Sequence, residues 1–130
     1  MKLADVDADE SSFAYRDLLD MDVWTEFTPV FGSLTVVGAT SYSGRLRIVG
    51  RQAFLQVQFS AATSIASVAG TDYLTSPIAM QGLAGEMTMS NDTMNVAVGN
   101  CHVDVATSRI YLPAQVASGN VFTLAGWVEV

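Results

Sequence analysis

The sequence predicts an all-β protein: an antiparallel β-sandwich or jelly roll behind a short N-terminal arm that is either helical or extended. Three observations carry that expectation. From Trp24 onward apolar residues recur with a period of two, as in "GRLRIV" and "AFLQVQFS", the mark of half-buried strands. Turn-forming residues return at intervals of about 8–12 positions, and roughly seven to nine short strands at that spacing fit a sandwich or jelly roll. No helical period follows Trp24, and no internal repeat or low-complexity tract interrupts the pattern.

The first 23 residues differ. They hold Asp5, Asp7, Asp9, Glu10, Asp17, Asp20 and Asp22 against Lys2 and Arg16. Tyr15, Leu18 and Leu19 fall at helix-like spacing behind acids and serines that can cap a helix. So few apolar residues make such a helix marginal alone. Residues 1–23 are therefore read as an acidic arm, either a solvated tail or a segment that orders against a partner. Residues 24–130 are read as the folded domain.

Within that domain the first hairpin is written most clearly. Leu46 and Ile48 alternate with Arg45 and Arg47, and Leu55, Val57 and Phe59 alternate with Gln56 and Gln58. Gly50-Arg51 between them suits a two-residue turn with glycine first. That turn pairs Leu46 with Leu55 and Ile48 with Ala53 on one side, and Arg47 with Phe54 and Arg45 with Gln56 on the other. A slip of one residue would destroy the segregation. Arg47 is expected to lie over Phe54. The outward arginines are either ordinary cross-strand partners or a site for an anionic glycan or acidic protein surface.

The same arithmetic around Asn91-Asp92, a pair tolerant of positive φ, pairs Met89 with Met94, Met87 with Val96 and Thr88 with Asn95. A strand near Cys101–Val105, a turn at Ala106-Thr107-Ser108 and the strand in "RIYLP" follow. In the closing "NVFTLAGWVEV", Phe122, Leu124, Val128 and Val130 share one face.

Composition limits function. A net charge of −7 argues against nucleic acid, whose phosphates would be repelled. No apolar run of about 18 residues exists to insert in a membrane, and no basic-then-apolar leader opens the chain. A single cysteine gives no internal disulfide framework. Residues 24–130 carry only six acids and four arginines, far below the roughly 25% charged residues of an ordinary soluble domain. Interface cores are depleted in charge, so the deficit points to a protein that lives in an assembly.

Catalytic chemistry finds little support. In "CHVD", a strand puts Cys101, Val103 and Val105 on the core side and His102 with Asp104 on the other, which separates any Cys–His pair. His102 and Asp104 lack a third metal ligand. The carboxylates Glu26, Asp72, Glu86, Asp92, Asp104 and Glu129 show no spacing that favours a glycosidase pair. No enzyme activity, cofactor or metal is expected.

"WTEFTPVFGSLTV", the Tyr-Ser-Gly-x-x-Arg-x-x-Gly-Arg-x-x-Phe-x-x-x-x-Phe pattern at Tyr42–Phe59, "SPIAM", "RIYLP" and "TLAGWVEV" together resemble the small β-domains of tailed-bacteriophage virion proteins. The resemblance covers roughly Trp24–Val130 and omits the arm. It implies the trimeric β-sandwich of capsid decoration (cement) proteins and tail-fibre tips, and a place in the virion after synthesis in the bacterial cytoplasm. Two functions follow as expectations. One is a homotrimeric decoration protein docked on a capsid or tail through its arm, with Phe13, Tyr15, Leu18 and Leu19 as apolar contacts and Phe54 or Trp127 at a subunit interface. The other is a receptor-binding fibre tip that recognises a bacterial surface glycan or protein.

Overall fold

The computed structural model describes residues 23–82 and 87–130. The arm, including Phe13, Tyr15, Leu18 and Leu19, lies outside the described residues, as does Glu86. The described chain is all-β and antiparallel, in keeping with a β-sandwich. Its first half holds β1 (Thr25–Phe27), β2 (Val30–Gly32), β3 (Thr35–Val37), β4 (Thr40–Val49), β5 (Gln52–Ala61), β6 (Ser64–Ser67) and β7 (Tyr73–Thr75). Its second half holds β8 (Met87–Asn91), β9 (Val96–Asp104), β10 (Arg109–Tyr111), β11 (Gln115–Ser118) and β12 (Phe122–Glu129). The count exceeds the expected seven to nine because five strands are only three residues long, too short for alternation to reveal.

Nine strands form one sheet in the order β1-β4-β5-β12-β8-β9-β10-β7-β2, and β11-β6-β3 form a second. β1 and β2 stand at opposite edges of the large sheet, yet only Thr28 and the buried Pro29 separate them. Two residues cannot cross a flat nine-stranded sheet, whose strands lie about 4.8 Å apart. The sheet therefore curls until its edges meet. Phe31 of β2 confirms the closure: its ring lies 4.9 Å from Phe59 of β5 and 5.1 Å from Tyr42 of β4. Proline removes a ladder donor and suits the point where pairing changes partner.

The β4–β5 hairpin turns at Gly50-Arg51 in the predicted register, with Leu46 opposite Leu55, Ile48 opposite Ala53, Arg47 opposite Phe54 and Arg45 opposite Gln56. The register runs further than expected. β3 and β6 pair in the same phase, Thr35 with Ala66, Val36 with Ile65 and Val37 with Ser64. Between the two ladders the Ala62 amide donates to the Ala39 carbonyl at 2.8 Å, and the Thr63 amide donates to that of Val37 at 3.0 Å. One ribbon thus runs from Thr35 to Ser67 and bends at Gly38, whose φ of 93° is one that L side chains rarely adopt. Its near half belongs to the large sheet and its far half to the small one.

The second hairpin corrects the sequence reading. Met87 faces Cys101, Thr88 faces Asn100 and Met89 faces Gly99, and after a bulge Ser90 faces Ala97 and Asn91 faces Val96. Asn91 is not in the turn. It ends the strand, and its side-chain oxygen accepts a hydrogen bond from the Met94 amide at 3.0 Å. The connection is the four-residue Asp92–Asn95, with Asn95 carrying the positive φ of 58°. Met94 and Val96, expected in the core, are exposed.

The remaining strands agree with expectation. β9 and β10 flank a turn at residues 105–108, and β12 alternates with Phe122, Leu124 and Val128 buried. The core gathers Leu55, Val57 and Phe59 of β5, Phe122 and Leu124 of β12, Met87 and Met89 of β8, and Ile110 and Leu112, all at most 1% exposed. The rings of Phe59 and Phe122 stack with centroids 5.7 Å apart. Alternating strands that bury one face leave the other outward, and the outer face of the large sheet is where the remaining chemistry lies.

Candidate functional site

β1 brings Trp24 to that outer face. It pairs with β4 so that Thr25 faces Leu46 and Glu26 faces Arg45, and the strand alternation puts Trp24 on the side of Glu26. The Arg45 guanidinium carbon sits 4.2 Å from the Trp24 ring centroid and that of Arg47 sits 5.5 Å away. Arg47 thus lies over Trp24, and not over Phe54 as its cross-strand position suggested. The Phe54 ring is already engaged on both sides: edge-on to Trp24 at 5.9 Å, and tilted against Trp127 at 5.2 Å. Trp24, Arg47, Phe54 and Trp127 therefore form one row across β1, β4, β5 and β12. All four are half-buried, consistent with aromatic and cation–π pairs worth about 0.5–1.5 kcal/mol each.

Beside this row opens a polar groove of about 640 Å³, lined by Glu26, Phe27, Thr28, Tyr42, Ser43, Gly44, Arg45, Gln56, Gln58 and Thr123. β1 makes it. That strand covers only Gly44–Leu46 of the ten-residue β4, so the chain departs at Thr28 and leaves the rest of that side of β4 without a β1 neighbour. Arg45 Nε donates to Gln56 Oε1 at 2.7 Å, which fixes both side chains against the sheet. Phe27 packs across Gly44, where an added Cβ would meet the ring at 2.7 Å.

A second cluster lies on β7, β9 and β10. The rings of Tyr73 and Tyr111 meet edge-to-face at 5.6 Å, and His102 approaches Tyr111 at 6.4 Å. Arg109 lies 4.1 Å over the Tyr73 ring, and its Nη1 donates to the Tyr111 hydroxyl at 3.4 Å. The sequence singled out His102 but gave no hint of Tyr73 or Arg109, since only the β7–β10 pairing joins them.

Three aspartates serve turns. Asp72 is buried and accepts from the Val68 amide at 2.7 Å. Asp104 accepts from the Ala106 amide at 3.2 Å and the Thr107 hydroxyl at 2.7 Å. Asp92 takes hydrogen bonds from Ser90 and Thr123. Among the described residues no group of three His, Cys, Asp or Glu side chains is placed to hold a metal ion.

Cys101 packs against the core while His102 is exposed, on the opposite face of β9. Burial pushes the Cys101 thiol up from 9.0 to about 12, because desolvation disfavours the thiolate. Between those values the unfolded chain has lost a proton that the folded chain keeps, so rising pH favours unfolding. The thiol's contribution is complete below pH 9.0 and is lost as pH climbs toward about 12. Urea midpoints of the wild type should fall more steeply above pH 9.0 than those of Cys101→Ser, which is itself less stable by about 1 kcal/mol from a buried hydroxyl. Parallel pH profiles would refute the assignment.

Comparison with protein-family models, curated proteins and solved structures found no match to this chain.

Proposed function

We propose that the protein is a non-enzymatic virion structural protein, a homotrimeric decoration protein that docks on a bacteriophage particle through its acidic arm. The phage assignment rests on the residues of the sequence resemblance alone. What supports an assembly role is the outer face of the large sheet. Its aromatic row ends in Phe54 and Trp127, and around that end stand Val49, Gln52, Thr88 and Ala125, with Arg47 and Glu129 as the charges, while the groove beside Arg45 lies outside the contact. Uncharged residues around aromatic anchors suit a subunit contact, and closed cyclic symmetry buries such a patch on every copy.

Light scattering on the full chain tests this directly. A trimer is expected at micromolar concentration. Phe54→Ser with Trp127→Ser should shift it to monomer while the β-rich circular dichroism spectrum persists. A wild-type monomer would overturn the reading. Attachment is tested separately: deletion of residues 1–23 should leave a folded protein that no longer binds particles, and retained binding would exclude the arm as anchor.

A further inference from the structure

We infer that the groove between β1 and β12 is a binding site for a neutral oligosaccharide. The inference rests on the groove and holds equally for a capsid decoration protein or a fibre tip. It gives glycan recognition a place and a ligand class.

Charge decides the ligand's sign. Glu26 and Arg45 are the charged residues of the lining and face each other across β1 and β4. A uronic or sialic acid would gain Arg45 and meet Glu26, whereas a neutral sugar meets no like charge. Both side chains are also suited to adjacent hydroxyls, the carboxylate as a two-oxygen acceptor and the guanidinium as a fork of donors.

Arg45 uses Nε on Gln56 and its face on Trp24, so its two Nη groups are what it can offer a ligand. Gln56 uses its oxygen on Arg45 and retains its NH₂. Gln58 is exposed, one alternation further along β5. The ladder fixes their backbones and the Arg45–Gln56 hydrogen bond holds two of the side chains, which reduces the ordering cost of binding.

Phe27 and Tyr42 also belong to the lining, but they alternate to the other side of the sheet from Glu26 and Arg45, where they pack against the core and Tyr42 meets Phe31. The amides, hydroxyls and paired charges that line the groove match a sugar's rim of hydroxyls. The volume, about 640 Å³, lies within the roughly 300–1,000 Å³ of small-molecule sites. Three strand spacings from β1 to β12 give a length of about 14 Å, enough for a di- or trisaccharide. A shallow site of this kind binds weakly per copy, and several copies on one particle would raise the effective affinity.

The test uses the full chain against an immobilised panel of neutral oligosaccharides and of oligosaccharides bearing uronic or sialic acid. The strongest neutral hit is then titrated by NMR. Binding of at least one neutral oligosaccharide with a Kd at or below the order of 10 mM is expected. Glu26→Gln and Gln58→Ala should each weaken it, by about tenfold for the charged partner, with light scattering and circular dichroism unchanged. Failure of every neutral sugar, preference for the acidic sugars, or unchanged affinity in both variants would overturn the assignment. So would an extended peptide that binds the edge of β4 and shifts the groove resonances where no sugar does. None of these outcomes alters the oligomeric state, so the trimer stands or falls on its own measurement.

Discussion

Phe59→Ala should be the most damaging single side-chain truncation in the domain, lowering unfolding free energy by about 3–5 kcal/mol. Phe59 is wholly buried and holds the curled sheet together at its centre. On one side its ring stacks on Phe122 of β12, the neighbouring strand. On the other it meets Phe31, which β2 brings from the far edge of the same sheet. Alanine would leave a cavity between the rings of Phe31 and Phe122, which belong to different strands and cannot both close inward. Against a typical total of about 5–15 kcal/mol, that loss removes a large share of the stability. Phe59→Leu keeps most of the volume and should cost less, about 1–1.5 kcal/mol, chiefly from lost ring contacts. Urea unfolding at one fixed protomer concentration measures both, since assembly makes stability depend on concentration. Equal costs for Ala and Leu would mean that Phe59 does not close the curl.

How much of this was legible in the sequence follows from which interactions are local. The Gly50-Arg51 hairpin could be read to the residue, because a two-residue turn and a period of two fix the register without tertiary information. The hairpin after Met89 could not. Asn91-Asp92 resembles a turn pair, but Asn91 uses its side chain to cap Met94 and passes the left-handed position to Asn95. The methionines fit a tighter register in composition, and the competing signal is a single asparagine four positions on. Phe54 and Trp127 were found because both follow from alternation. Trp24 was not assigned to their row, since its place depends on β1 joining β4 across a sequence gap. Tyr73 and Arg109 were invisible for the same reason. The curl of the sheet likewise depends on which strands stand at the two edges, and no local pattern encodes that.

Gly38 should prove far harder to replace than Gly50, and the surroundings of the two show why. Both have positive φ, 93° at Gly38 and 64° at Gly50. At Gly50 an added Cβ meets nothing within 4 Å, so Gly50→Ala carries only the left-handed penalty of about 1–2 kcal/mol. At Gly38 the added Cβ would lie 3.0 Å from the Thr63 backbone nitrogen and 3.1 Å from the Ala62 Cβ. Thr63 cannot yield freely, because its amide is the one that donates to the Val37 carbonyl and carries the ladder across the bend. Strain and contact act together there, and Gly38→Ala should cost about 3 kcal/mol. The damage should also be directional. Losing the bend separates β3 and β6 from the hairpin, so amide exchange should accelerate at residues 35–37 and 64–67 before it does at the core of β4 and β5. If Gly38→Ala and Gly50→Ala are equally stable and exchange uniformly, the bend is not what lets one turn set the register of both sheets.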